Sequence, residues 1–202
     1  MMLKDLILKK LEDTRGEFVS GETLAEAFGV SRNAVWKCIK RLEKEGYAVT
    51  SVKNRGYALS PLGDELSAFA VEKYLREGAF FVEVKKSTFS TNDDVKKLAA
   101  QGAPAWSAVI AEEQAGGRGR FGRAFYSPAG NGLYMSVLLR PHIAAGETLF
   151  ITTCAAVAVA EAVEKLCGKY AEIKWVNDVF IGGKKVSGIL TEASFIVESG
   201  GL

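Results

Sequence analysis

The chain has 202 residues, 48% of them hydrophobic and 25% charged, with a net charge of +2. This fits a soluble globular protein of one or two domains. The longest uncharged apolar run, Leu149 to Ala160, falls short of the roughly 20 residues that a bilayer crossing needs, which excludes a membrane-spanning helix.

Charge is unevenly spread. Residues 31–57 carry Arg32, Lys37, Lys40, Arg41, Lys44, Lys53 and Arg55 against only Glu43 and Glu45, as expected of a nucleic-acid face. Lys4, Asp5, Lys9 and Lys10 interrupt the apolar residues at the N-terminus, so no secretory leader is expected there. Cys38, Cys154 and Cys167 are odd in number and lack C-x-x-C spacing, which predicts free thiols in a reducing cytoplasm. His142 follows Pro141 with no second ligand candidate nearby, so no metal site is expected on it.

In chain order, Leu3, Leu6, Ile7 and Leu11 predict an amphipathic helix over residues 2–13. Phe18-Val19 is a short extended piece, and Ser20 can cap a helix carrying Leu24, Ala25 and Phe28. After a Gly29-Val30 turn, Ser31 can cap a third helix that buries Val35, Ile39 and Leu42. This is a helix-turn-helix pattern. Arg32, Asn33, Trp36 and Lys37 cluster on the outward side of its second helix, near the N-terminal end. Such residues reach base edges, Arg pairing with guanine and Asn with adenine. Tyr47–Val52 and Tyr57–Ser60 predict a hairpin with Lys53 and Arg55 at its tip, as on the wing of a winged helix. Ser60-Pro-Leu-Gly63 reads as a linker, which places a DNA-binding domain at 1–62 and a second domain at 63–202.

The second domain predicts a helix over 64–77 and a strand from Ala79 to Lys85. The hydroxyl-rich Ser87–Asn92 follows and leads into another helix, which Ser90 or Thr91 can cap. The same polar groups can instead line a pocket for a neutral polar ligand. Strands are expected at Trp106–Ala111 and at Gly132–Leu139, the latter with Leu133, Met135 and Val137 alternating. Thr148–Leu166 predicts a buried helix. Strands at Ile173–Val176 and Asp178–Ile181 flank Asn177, and a Gly182-Gly183 turn leads to Lys184–Leu190. One more strand begins at Ser194–Val197. The layout is α+β, with a mostly antiparallel sheet.

Gln114-Ala-Gly-Gly-Arg-Gly-Arg-Phe-Gly-Arg123 joins two of these strands. Glycine permits close backbone approach, and arginine offers a planar fork of donors suited to phosphate and carboxylate. Gly117, Gly119 and Gly122 match G-x-G-x-x-G, but no helix follows and no carboxylate appears before Glu147, so a dinucleotide site is set aside. The loop alone leaves two readings, an anion site or a flexible surface loop touching nucleic acid.

Five motifs occur together in this second domain: Ser90-Thr-Asn92, the arginine-glycine loop, Ser127-Pro128, Lys174-Trp-x-Asn-Asp178 and Lys185-Val-Ser-Gly-Ile-Leu190. In this order and spacing they resemble the catalytic domain of biotin protein ligases, whose fold is class II synthetase-like. With Val30-Ser-Arg-Asn-Ala-Val-Trp-Lys37, the whole chain resembles the bifunctional members that also repress the biotin operon. The resemblance implies synthesis of biotinyl-5′-AMP from biotin and Mg-ATP in the cytoplasm, then transfer of biotin to a lysine of a biotin carboxyl carrier protein. It implies operator DNA as a second partner, a homodimer when the adenylate is bound, and no membrane. Ser90, Thr91, Asn92 and Gln114 would hold the ureido end of biotin, and Gly188 would line its tail. Arg118, Gly119 and Arg120 would embrace the carboxylate and α-phosphate. Lys185 would reach the reacting oxygens. Asn177 and Asp178 would serve the nucleotide, Mg2+ or the incoming amine. Lys185, Arg120 and Asp178 are thus the expected catalytic residues. Arg123 joins the nucleotide site, and Phe125 would stack on adenine or pack in the core. DNA contacts fall to Arg32, Asn33, Trp36, Lys37, Lys53 and Arg55. Val176 stands where the family commonly has proline, and family members continue into an SH3-like domain, so the catalytic domain is expected to be incomplete. A ligand-sensing repressor without ligase activity and a lipoate-type acyl ligase are the alternatives.

Overall fold

The computed structural model describes residues 1–75, 81–141, 143–144 and 147–193. Contacts divide the chain into two compact units, 1–84 and 85–202.

The first unit opens with three helices, α1 (Leu3–Asp13), α2 (Gly21–Phe28) and α3 (Arg32–Lys44). Ser20 accepts from Thr23 N at 2.9 Å and Ser31 from Ala34 N at 3.2 Å, so both expected caps form. Gly29 ends α2 in the left-handed region (φ 63°), and Val30 N reaches back to Ala25 O at 2.9 Å. That turn aims α3 across α2. Ile7, Leu11, Leu24, Val35, Ile39, Leu42 and Leu59 have no exposed surface and form one core. Each such side chain contributes about 1.5–3 kcal/mol by leaving water.

Strands β1 (Val49–Val52) and β2 (Gly56–Leu59) pair antiparallel around Lys53–Arg55, and Val19 bridges to Tyr57 as a third, short edge. The helix expected over 64–77 is shorter: α4 spans Ala68–Glu72. Ser67 caps it through Ala70 N at 3.0 Å, and the preceding Glu65 bonds Ala48 N instead of entering a helix. Residues 76 and 77 lie outside the described residues.

A buried polar knot holds this segment to α1. Glu12 is 1% exposed and accepts from Arg15 Nε and Nη2 at 3.0 and 2.8 Å, and from Ser67 at 3.2 Å. Arg15 also donates to the carbonyls of Ser60 and Gly63 at 2.9 and 3.0 Å. Lys73 donates to the Glu12 carbonyl at 2.5 Å. The hydrogen bonds that Arg15 donates to Glu12 raise its guanidinium above the ordinary value.

Of the strand expected at 79–85, β3 (Val82–Lys85) is described, and residues 79–80 are not. Helix α5 (Thr91–Ala100) follows. A sheet of order β3-β4-β5 contains β4 (Ala108–Ala111) and β5 (Tyr134–Val137), antiparallel to each other with Val109 opposite Ser136. A second sheet, of order β6-β7-β8, contains β6 (Glu172–Lys174), β7 (Asp178–Ile181) and β8 (Lys184–Gly188), all antiparallel. The expected Gly182-Gly183 turn joins β7 to β8, both glycines at positive φ. The mostly antiparallel α+β layout holds.

The expected burial of the helix at 148–166 does not hold. Helix α6 (Thr148–Cys167) buries only Thr152, Ala156 and Ala160, a stripe at four-residue spacing, and leaves Phe150 69% exposed. On β5, Met135 and Val137 are exposed, as is Leu133 just before it, and Ser136 is buried. The reason is the pleat: α5 packs on the face that carries Ser136, which turns the apolar residues to the other. The strand expected at Ser194–Val197 and His142 lie outside the described residues. Cys38, Cys154 and Cys167 are free thiols. Among the described residues no helix is long and apolar enough to cross a membrane.

Candidate functional site

The second unit gathers the predicted site residues in two clusters, and the arginine-glycine loop sends one arginine to each. The loop's path depends on two glycines. A Cβ on Gly116 would lie 2.4 Å from the Phe89 ring, and one on Gly117 would lie 2.5 Å from both Phe125 O and Ser127 Oγ. Close approach to the Phe125 carbonyl requires glycine at 117, while at 116 the exposed Phe89 ring would have to move. Bridges Gln114–Ser127 and Arg118–Ala124 then fold the loop back on itself.

The first cluster surrounds the start of α5. Ser90 is the N-cap residue, but neither Ser90 nor Thr91 caps the helix with its side chain. Gln114 does so instead: its Oε1 accepts from Thr91 N at 2.9 Å and from Thr91 Oγ1 at 3.0 Å. Its Nε2 donates to Ser127 Oγ at 3.2 Å. Thr91 and Ser136 hydroxyls are 2.7 Å apart, and Ser136 also donates to Asn92 Oδ1. Asn92 Nδ2 donates to Glu192 Oε2 at 2.7 Å. Ser90, Thr91, Ser127 and Ser136 are all buried. These groups form a desolvated polar pocket wall whose internal bonds fix both amide orientations.

Arg118 closes this cluster. Its Nη1 and Nη2 reach the two carboxylate oxygens of Asp93 at 2.9 and 2.5 Å, with Glu192 Oε2 at 3.8 Å. The bond from Arg118 holds the Asp93 carboxyl below its ordinary range, and Asp93 raises Arg118 in turn. Burial works to raise Glu192, but hydrogen bonds from Asn92 and Lys96 outweigh it and lower that carboxyl. Next to Asp93, the buried Asp94 accepts from Thr88 at 2.5 Å and from Lys85 at 3.0 Å, which outweighs its own desolvation.

The second cluster lies on β7 and β8. Arg120 Nη1 donates to Asn177 Oδ1 at 3.0 Å, and Asn177 Nδ2 donates to Asp178 Oδ1 at 2.9 Å. Lys185 Nζ stands 2.8 Å from the same oxygen. Gly188 faces Asp178 across the ladder. Lys185 Nζ also lies 5.7 Å from the Phe125 ring centroid, so that ring pairs with a cation and is not in the core. Gly119 N donates to Arg123 O at 2.7 Å, while the exposed Arg123 side chain has no partner among the described residues. Arg120 also borders a cleft of about 180 Å³ lined by Thr152, Val176, Leu190 and Thr191.

Asp93, Glu192, Ser127 and Ser136 were missed as site residues by the sequence reading. Asp93-Asp94 had a signal, two acids in a helix's first turn, where the dipole favours them. Glu192 bonds a residue 100 positions away, and no local pattern marks such a partner.

Among the described residues no three His, Cys, Asp or Glu side chains form a metal cluster. Asp178 Oδ1 is shared by the Lys185 ammonium and the Asn177 amide.

In the first unit, the DNA-facing residues predicted on α3 are exposed, including Trp36 at 48%. Lys53 and Arg55 are exposed on the wing, with Arg55 stacked 4.4 Å over the Phe18 ring.

Fold and site together define a helix-turn-helix unit joined in one chain to an α+β unit with a cation-bearing glycine loop. Residues 4–58 match the HTH domain family, and residues 83–199 match the Biotin/lipoate A/B protein ligase family. The chain belongs to the Biotin/lipoate A/B protein ligase family. It is 41% identical over 194 residues to the bifunctional ligase/repressor BirA of Bacillus subtilis, covering 94% of this chain and 58% of that protein. Against BirA of Escherichia coli it is 34% identical over 177 residues, covering 88% and 54%. The fold is similar to the biotin protein ligase of Aquifex aeolicus in complex with biotin and ATP (TM-score 0.50, 34% identity, 56% of this chain and 47% of that one). It is also similar to that of Leishmania major in complex with biotinyl-5-AMP (TM-score 0.51, 27% identity, 56% and 52%). The chain thus spans little more than half the length of the curated relatives it matches.

Proposed function

We propose that this chain is part of a biotin protein ligase that also binds operator DNA. The linked set Arg120–Asn177–Asp178–Lys185 is the observation that carries the reading. Attack of the biotin carboxylate on the α-phosphate of Mg-ATP gathers negative charge on the non-bridging oxygens as pyrophosphate leaves. Arg120 and Lys185 supply fixed cations for that charge, an effect worth a few kcal/mol per donor. Asn177 and Asp178 hold the two cations in place. Mg2+ enters with the nucleotide, and no step runs through a metal held by Asp178. The polar wall of Thr91, Asn92, Gln114 and Ser136 suits the ureido end of biotin. In the second step a carrier-protein lysine attacks the acyl carbon and AMP departs.

By the same reading, α3 and the wing place Arg32, Asn33, Trp36, Lys37, Lys53 and Arg55 on operator DNA. The adenylate-bound chain pairs as a homodimer there, in the cytoplasm, since helix-turn-helix proteins read paired half-sites as dimers.

Radiolabelled biotin with Mg-ATP, followed by a biotin carrier domain, tests the enzyme assignment. Labelled biotinyl-5′-AMP and labelled carrier are expected, both reduced in Lys185→Ala. Calorimetry with lipoate in place of biotin should show no comparable heat. Failure to form any adenylate, even in a chain extended to the relatives' length, overturns the reading.

A further inference from the structure

We propose that Arg118 is the anchor of the arginine-glycine loop, held by Asp93 and Glu192, and that it positions Arg120 and Arg123 instead of binding the anionic substrate itself. The inference deepens the reading of this loop as the substrate-anion site and rests on it.

Three arginines share the loop, yet their surroundings differ. Arg118 uses both ends of its fork on one carboxylate, Asp93, at 2.9 and 2.5 Å, with the second carboxylate, Glu192, at 3.8 Å. Arg120 is exposed and makes one bond, to the neutral amide of Asn177. Arg123 is exposed with no side-chain partner among the described residues. A phosphate brought to Arg118 would meet the negative charge of Asp93 at the same fork, so it must displace Asp93 or be repelled. At Arg120 and Arg123 no carboxylate bond stands in the way.

Asp93 is well placed to stay ionised. It lies in the first turn of α5, where the helix dipole favours a negative charge, and Arg118 holds its carboxyl low. The anchor also has a broad footing. Glu192 bonds Asn92 at 2.7 Å and Lys96 at 3.1 Å, so the group beside Arg118 also fixes an amide of the polar wall. From this fixed point the loop runs through Gly119, whose N–H donates to Arg123 O at 2.7 Å, and Phe125 N returns to Gly117 O at 2.8 Å. Arg120 and Arg123 project from a loop that is tied at its base.

The test uses the full chain with four variants: Asp93→Asn, Arg118→Gln, the double variant, and Arg118→Lys. Without ligand, trypsin cleavage after Arg120 and Arg123 is timed by mass spectrometry. Asp93→Asn, Arg118→Gln and Arg118→Lys should each speed cleavage roughly fivefold, as expected for losing one charged pair, and the double variant should add nothing further. Lysine keeps the charge but loses the two-pronged bond, so it should not rescue. Biotin and Mg-ATP are then added and adenylate retention is measured. Asp93→Asn and Arg118→Gln should both shorten it. The proposal is overturned if Asp93→Asn leaves cleavage unchanged. It is also overturned if Asp93→Asn lengthens retention while Arg118→Gln shortens it, because Arg118 would then be a substrate ligand released from Asp93. If wild type makes no adenylate, cleavage alone still decides the anchor, and only the functional reading fails.

Discussion

Lys185 crosses the β7–β8 ladder to reach Asp178, although the residue facing Asp178 in the register is Gly188. The crossing is open because Gly188 has no side chain. A Cβ there would lie 2.9 Å from both Cε and Nζ of Lys185. The glycine is thus required by the lysine's path and not by a positive φ.

Gly188→Ala should therefore displace the lysine without unfolding the sheet. A shift of about 1 Å in a reacting group costs on the order of 100-fold in rate. We expect adenylation to fall by about that much with an unchanged urea midpoint. An alanine variant of wild-type speed would show that the lysine reaches its place by another route.

Glu12 should be a stability residue of the first unit. Glu12→Ala leaves Arg15 and Ser67 without their acceptor, and breaking a buried pair costs about 3–5 kcal/mol. Arg15 keeps 18% side-chain exposure, so water recovers part of this and about 2–3 kcal/mol is expected. Urea unfolding of the full chain measures it. A loss under 1 kcal/mol would mean that the knot is dispensable.

The Asp93–Arg118 pair sets a pH signature. The folded-state carboxyl lies below its ordinary value of 3.8 because Arg118 bonds the charged form. Its contribution is thus complete above that value and is lost as pH falls through the lower, folded value. The stability gap between wild type and Asp93→Asn should be constant above about pH 5 and close in more acidic buffer. A gap that widens on acidification contradicts the assigned sign.

On the wing, Phe18 should act through Arg55. Using a fluorescent random-sequence duplex of about two helical turns at low salt, Arg55→Ala should weaken binding and lower the salt slope by about one. Phe18→Leu should weaken binding less and leave the slope unchanged, since the cation remains but loses its stacking partner. Equal slopes for wild type and Arg55→Ala would place that arginine off the phosphates.

The helix-turn-helix unit was legible in the sequence because local signals agree there. Ser20 and Ser31 are caps, Gly29 is a stop, and Val35, Ile39 and Leu42 keep helical spacing. Burial in the second unit was harder to read. Alternation at Leu133, Met135 and Val137 names a strand but not which face α5 covers, and Ser136 turned out to face the helix. The motifs gave the right neighbourhood for Asn177, Asp178 and Lys185, which do meet. They gave Arg118 and Arg120 a shared hold on the carboxylate and α-phosphate. The difference between Arg118 and Arg120 depends on Asp93, 25 positions away, and on Glu192, whose approach only the folded chain creates.

The knot at Glu12 bears on how a DNA-reading fragment should be cut. A piece ending at residue 62, just after the wing, would discard Ser67, a donor to the buried Glu12 carboxylate, and Lys73, a donor to the Glu12 backbone carbonyl. A piece carried on to Leu75 keeps every one of those bonds. The smallest self-contained helix-turn-helix unit is thus longer than its sequence pattern, by the segment that carries Ser67 and Lys73.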